Sequence, residues 1–352
     1  IMHFEDLGLN SSEVLLKDGQ ILDMDDMETR PAKMDDKAIN CVNASYQEDA
    51  EPNRIKQFLE RTIDTEDGLK TLQEYLGYTL TWPSTKYEKA LLILGNTDTG
   101  KSTLLELLEK FFERSETTNM SFPDIGMERS FHVGRLKDSV VNIDHDMDDK
   151  NIKSHSTLKK AISNNKMMAD PKGSDGYQFR PRARFLIASN NSPDDSGSGQ
   201  AFYNRFLTLQ ATKRVSEDEK DRELVDKLSS EENMSWLLNW AIEGLKRLQE
   251  QNRFTLNRTE YETKKLWDKF GTSTQKFVSE QIEVDHDDGK NIPTEDLYNT
   301  YKDWCETELA TPVSQYEFVS TASDCADMHK AKVQAYDGTG RRSCFKNLTL
   351  ND

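Results

Sequence analysis

Cysteine is scarce in this sequence, and the four that occur are far apart. Cys41, Cys305, Cys325 and Cys344 form no CxxC pair, which argues against a zinc knuckle or a disulfide framework and suits a reducing compartment. Long apolar runs are also missing. Nothing approaches the roughly 20 uninterrupted apolar residues of a membrane span, and no charged-then-apolar leader opens the chain, so a cytoplasmic protein without membrane contact is expected. Positive charge is in deficit, with 46 Lys and Arg against 63 Asp and Glu and a formal net charge of −17. Such a surface repels a polyanion, so any nucleic-acid contact must come from local clusters of lysine and arginine. The chain opens on Ile1 rather than methionine, which suggests a piece of a longer polypeptide with another activity upstream.

What is present is ordered along the chain. Residues 1–50 are polar and rich in Asp and Met, with little periodicity, and read as an irregular lead-in. Over 51–85 the spacing of Ile55, Phe58, Leu59 and Ile63, then of Leu69, Leu72, Leu76 and Leu80, predicts two helices, a collar ahead of the next segment. Within 86–215 the apolar run Ala90 to Leu94 predicts a buried parallel strand, as do Ser139 to Ile143, Arg184 to Ser189 and Arg205 to Leu209. Interleaved helices make this an α/β core. A helical extension follows over 216–284, with Trp236, Leu237, Trp240, Ala241 and Leu245 on one face. Residues 285–352 hold two helical stretches and a hairpin turn at Asp337-Gly338-Thr339-Gly340, the outline of a winged helix.

Gly95-Asn96-Thr97-Asp98-Thr99-Gly100-Lys101-Ser102, followed by Thr103, fits the phosphate-binding loop G-x-x-x-x-G-K-[ST]. Its setting between a buried strand and a helix is what the chemistry requires. Glycines let backbone N–H groups wrap a β-phosphate, the helix points its positive end at the anion, Lys101 neutralises phosphate charge and the Ser102 hydroxyl can ligate Mg²⁺. Asp144, just after the strand Val140 to Ile143, is the first choice for the carboxylate of the metal shell. Asp146 is its alternate, or the group that polarises the attacking water. Asn190 closes the strand Arg184 to Ser189 with an amide able to hold that water. Arg205 opens the last strand, where a guanidinium could stabilise a neighbouring subunit's γ-phosphate or simply form a surface ion pair. Between these, Lys166 to Pro181 reads as a hairpin with Lys172 at its tip, either a lever on a phosphate backbone or a solvated lysine.

Taken in order, GNTDTGKST, VVNIDHD, the hairpin, FLIASNN and YNRF resemble the Walker A, Walker B, B′ and C motifs and arginine finger of superfamily 3 helicases. The likeness is to the phage and plasmid primase family named after the P4 phage primase, with its D5-like helicases, and runs from about residue 50 to the C-terminus. The resemblance implies an AAA+-like P-loop NTPase fold with a helical region before it and a winged-helix-like domain after it. It also implies ATP and Mg²⁺ as ligands, with Lys101 and Ser102 on phosphate and metal, Asp144 on metal, Asn190 as sensor and Arg205 as the finger acting in trans. A hexameric ring on single-stranded or forked DNA, 3′ to 5′ movement, a primase domain or other replication proteins as partners, and a virus or plasmid in a prokaryotic host follow from the same likeness. Arg341, Arg342 and Lys346 fall in the wing and could touch DNA phosphates. Two departures stand out: Ser163-Asn164-Asn165-Lys166 replaces a glycine pair and an acid before the hairpin, and Asp rather than Glu occupies position 144. The resulting expectation is an ATP-dependent replicative DNA helicase; a nucleotide-regulated origin-binding module and a non-motor P-loop kinase are the alternatives.

Overall fold

The computed structural model describes residues 12–36, 40–81, 86–127, 132–147, 152, 154–170, 175–193, 200–287, 289–308, 310–325, 328–334 and 341–351. The chain forms two compact units, one of Ile1–Asn190 with Asp194–Asn257, the other of Asn191–Pro193 with Arg258–Asp352.

In the first unit the expected irregular lead-in is replaced by a small sheet. Strands β1 (Glu13–Leu15), β2 (Gln20–Asp23), β3 (Thr29–Pro31) and β4 (Asn40–Cys41) lie in the order β3-β2-β1-β4. The tight turn between β1 and β2 uses Gly19 at φ 78°, in the left-handed region that glycine enters without steric cost. Val14, Leu22 and Val42 bury their side chains in the main core of the unit, which is why so polar a stretch is folded at all.

Helices α1 (Ile55–Thr62) and α2 (Glu66–Leu80) follow, and the Thr65 side chain caps α2 by accepting from the Gly68 N–H. The α/β core contains β5 (Ala90–Leu94), α3 (Lys101–Phe111), β6 (Thr117–Thr118), α4 (Phe122–Ile125), β7 (Val141–Asp144), α5 (His155–Ile162), β8 (Met167–Ala169), β9 (Tyr177–Phe179), β10 (Arg184–Ser189) and β11 (Phe206–Gln210). Five of these strands form an all-parallel sheet in the order β11-β5-β10-β7-β6. Every residue of β5, β7 and β10 is buried, as a sheet covered on both faces demands. After β5 the chain runs out to β6 and β7, then returns to insert β10 beside β5 and place β11 on its other side. The carboxyl end of β5 is therefore a topological switch point, where open α/β sheets bind ligands. Strands β8 and β9 form the expected antiparallel hairpin, with Met168 opposite Gln178.

After α6 (Leu224–Leu228), the long helix α7 (Glu231–Gln251) packs on α2 through glycines. A Cβ on Gly77 would lie 2.2 Å from the Ala241 carbonyl oxygen, and one on Gly244 would lie 2.4 Å from the Gln73 carbonyl. The buried face of α7 runs through Leu237, Leu238, Ala241, Ile242, Leu245 and Leu248. Trp236 and Trp240, expected on its apolar face, are only partly buried and stack on each other with centroids 5.8 Å apart. Their indoles are large enough to cover the margin of the core while keeping polar N–H groups near water.

The second unit holds α8 (Glu260–Asp268), α9 (Ser273–Gln281), β12 (Ile282–Val284), β13 (Lys290–Pro293), α10 (Thr294–Thr307), α11 (Gln315–Asp324), β14 (Lys330–Gln334) and β15 (Arg341–Leu350). Strand β15 pairs antiparallel with each of β12, β13 and β14. Phe277, Leu297, Tyr301, Cys305, Phe318, Cys325 and Phe345 make its separate core, and Cys344 on β15 is fully buried. The long stretch of this unit runs from Arg258, where the sequence placed the start of the last domain at 285. The expected helical extension over 216–284 is divided: α7 belongs to the first unit, while α8 and α9 belong to the second. Helical periodicity reveals an apolar face without saying which core it meets.

Candidate functional site

The loop after β5 is shaped by its neighbours. A Cβ on Gly95 would sit 1.8 Å from the Ala211 carbonyl oxygen, so the first glycine is required by the continuation of β11 as much as by any ligand. Asp98 takes φ 60° and Gly100 φ 91° as the backbone turns into α3. The Val215 N–H donates to the Asp98 carbonyl at 2.7 Å, and Lys220 pairs with the Asp98 carboxylate at 2.9 Å. Asn96, Thr97 and Asp98 are exposed, whereas Thr99 is buried and closes the loop by donating to the Asn96 carbonyl at 3.1 Å. Ser102 is exposed on the first turn of α3, and Thr103 beside it is half-buried.

Lys101 is the hub of this loop. Its ammonium donates to the carbonyls of Gly95 at 2.8 Å and Asn96 at 2.6 Å, and to the Asn190 Oδ1 at 3.0 Å. The loop and the end of β10 therefore meet on one side chain. Burial pushes the Lys101 pKa down, opposed by the charges of Asp146 and Asp98. Asp144 ends β7, the strand beyond β10, and its Oδ2 accepts from the Phe122 N–H at 2.7 Å. Burial pushes its pKa up, with the backbone N–H groups of Phe122 and Asp146 acting the other way. Asp146 is exposed, and between the two carboxylates His145 reaches Glu109 on α3 at 3.1 Å.

These side chains can be tested against a nucleotide and a divalent cation. Among the described residues no cluster of three or more His, Cys, Asp or Glu could hold a metal by itself. A buried carboxyl at Asp144 and an open hydroxyl at Ser102 do fit Mg²⁺, which takes one or two protein oxygens and completes its shell with phosphate oxygens and water.

The remaining candidates lie elsewhere. Arg205 precedes Phe206, which pairs with Ala90 at the opposite end of β5 from Gly95. Five residues of strand separate those ends by about 17 Å, so Arg205 does not serve its own loop. Its guanidinium bonds Glu88 at 2.8 Å and the Ser163 hydroxyl at 3.1 Å. Lys172 lies outside the described residues. On β15, Arg341 and Arg342 are exposed and Lys346 is half-buried. Sequence reading did not single out Glu88, Ser163 or Lys220 as partners of the site: none belongs to a spacing pattern, and each is defined only by contacts across the fold.

Residues 93–205 match a family of unknown function, DUF5906. That stretch begins in β5 and ends on Arg205, so it takes in the loop, Asp144, Asn190 and the hairpin. No curated protein matches the chain. Among solved structures, apo forms of the NrS-1 C-terminal region are similar at 14% identity and a TM-score of 0.43. One of these, spanning 305–718, covers 88% of this chain and 77% of its own, and an A form of the region covers 88% and 78%.

Proposed function

We propose that this chain is an ATP-hydrolysing DNA helicase of a viral or plasmid replication system, working as a ring of identical subunits. The observation that carries the reading is the 3.0 Å bond from Lys101 to Asn190, with Asp144 one strand further along the same sheet edge. Lys101 opens the helix after β5, Asn190 follows β10 and Asp144 ends β7, so the carboxyl ends of three neighbouring parallel strands carry the polar groups that hydrolysis of a phosphoanhydride would use.

In this reading Lys101 exchanges its loop carbonyls for β- and γ-phosphate oxygens, and the N–H groups of residues 96–102 wrap the β-phosphate. Asp144 and Ser102 hold Mg²⁺. When bound, the cation withdraws charge from the phosphates. Asn190 orients the attacking water through its amide, and Asp146, exposed near Lys101, accepts the proton that water gives up. Arg205 acts on the triphosphate of an adjacent subunit, which its position at the far strand end supports. The β8–β9 hairpin, with Lys172, and the strand carrying Arg341, Arg342 and Lys346 supply the phosphate-backbone contacts.

ATP hydrolysis by the purified chain, with and without single-stranded DNA, tests this. DNA should stimulate hydrolysis, and Lys101→Ala and Arg205→Ala should each lower it, the latter by about 10³-fold. Mixing the two variants should restore part of the activity, because a shared site can take its lysine and its arginine from different chains. Hydrolysis indifferent to DNA and to Arg205 would overturn the motor reading in favour of a non-motor P-loop enzyme.

A further inference from the structure

Arg205 is held, and its holders connect two parts of the unit. Glu88 stands two residues before β5, and its backbone sits at φ 47°. A non-glycine residue in that region is strained, and such strain persists where the surroundings over-determine it. The residue after it is also tied to the Arg205 segment, since the Lys89 ammonium donates to the Asn204 carbonyl at 2.5 Å. On the other side, Ser163 is a buried residue at the C-terminal end of α5. Its neighbour Asn164, at φ 53°, donates through its side chain to the Pro181 carbonyl and accepts from Arg180 at 2.8 Å. Those contacts close the root of the β8–β9 hairpin. One guanidinium thus joins the lead into the phosphate-loop strand to the base of the hairpin. Arg205 retains 25% side-chain exposure and Glu88 33%, so a competing anion can reach the pair.

Resting on the reading of Arg205 as a finger acting in trans, we propose that Glu88 and Ser163 form a latch on it. A neighbour's γ-phosphate must draw the guanidinium away from Glu88. The same movement breaks its bond to Ser163, the residue before the Asn164 that ties the hairpin root, so each hairpin responds to the nucleotide on the adjacent subunit. Conversely, DNA that pulls the hairpin loosens Arg205 and speeds hydrolysis next door. Glu88 and Ser163 are positioning residues and touch no substrate.

The test uses the full chain carrying Glu88→Asn or Ser163→Ala, with DNA-free and DNA-saturated hydrolysis rates measured for each. Asparagine adopts positive φ readily, so Glu88→Asn removes the charge while easing the backbone. The DNA-free rate should rise about two- to fivefold, the range a partly exposed ion pair can supply, and the ratio of stimulated to basal rate should fall in proportion. Because both variants act on one guanidinium, the double variant should show less than the sum of the two effects. A purely structural role would shift both rates together and leave the ratio at its wild-type value, and that result overturns the latch. If Arg205→Ala is as active as wild type, the trans reading fails and the latch with it. If Arg205→Ala is inactive while Glu88→Asn keeps the wild-type ratio, the latch alone fails.

Discussion

Asp144 illustrates how a buried carboxyl at a strand end is set against stability. A carboxyl whose pKa is raised by folding favours its protonated form in the native state. Its contribution to stability is fully present below the unfolded value, about 3.9, and is lost as pH rises through the folded one. At neutral pH the ionised side chain is a net cost, offset in part by the Phe122 N–H. Asp144→Asn should therefore raise the melting temperature at pH 7 and make no gain near pH 3 and, in the proposed reading, abolish hydrolysis. Thermal melts across that pH range check it, and an equal change at both ends would show that ionisation of Asp144 is not involved. Lys101 shows the complementary arrangement, a buried cation satisfied by its own loop's carbonyls.

Between elements, the α2–α7 contact depends on two absent side chains. Gly77→Ala would force the helices apart against the Ala241 carbonyl, and overpacking of that kind costs about 1–3 kcal/mol. Urea unfolding should show the loss as a lower midpoint at unchanged slope; an unaltered midpoint would mean the helices can separate freely. The same interface buries Glu74, which accepts from Arg247 at 2.7 Å and from the Thr255 N–H at 2.8 Å. Elements whose burial is written continuously into the chain were legible in the sequence: the runs of β5 and β10 and the loop between β5 and α3. The small N-terminal sheet was not, because its strands are two to four residues long and flanked by acids, so Val14 and Leu22 leave no period. Strand β6, only Thr117–Thr118, escaped for the same reason. At the site, the residue types that chemistry demands were readable by spacing, whereas the partners of Arg205 arise from contacts between segments more than 40 residues apart in sequence.

Across the whole molecule the acidic excess makes the placement of cations informative. Helix α11 in the second unit carries Glu317 and Asp324 and no lysine or arginine, while Lys330, Arg341, Arg342 and Lys346 cluster on the β14–β15 hairpin. In the proposed reading the hairpin, not that helix, would supply the phosphate contacts. Replacing Arg341 and Arg342 by alanine should weaken single-strand binding and flatten the dependence of log affinity on log salt by about 0.7 per cation that contacts a phosphate. A slope equal to wild type in a salt titration would place the contact elsewhere. No helix among the described residues is long and apolar enough to cross a membrane. The few cysteines are divided unevenly between the units. Cys305, Cys325 and Cys344 are buried in the second, while Cys41 is partly exposed in the first, its thiol pushed up to about 11 by burial and by Glu116 and Glu113. Three sealed thiols in one unit and one sluggish thiol in the other make a built-in clock, because an alkylating reagent can reach the sealed ones only when their unit opens. The delay before the sealed thiols are labelled would time the breathing of the second unit without any introduced probe.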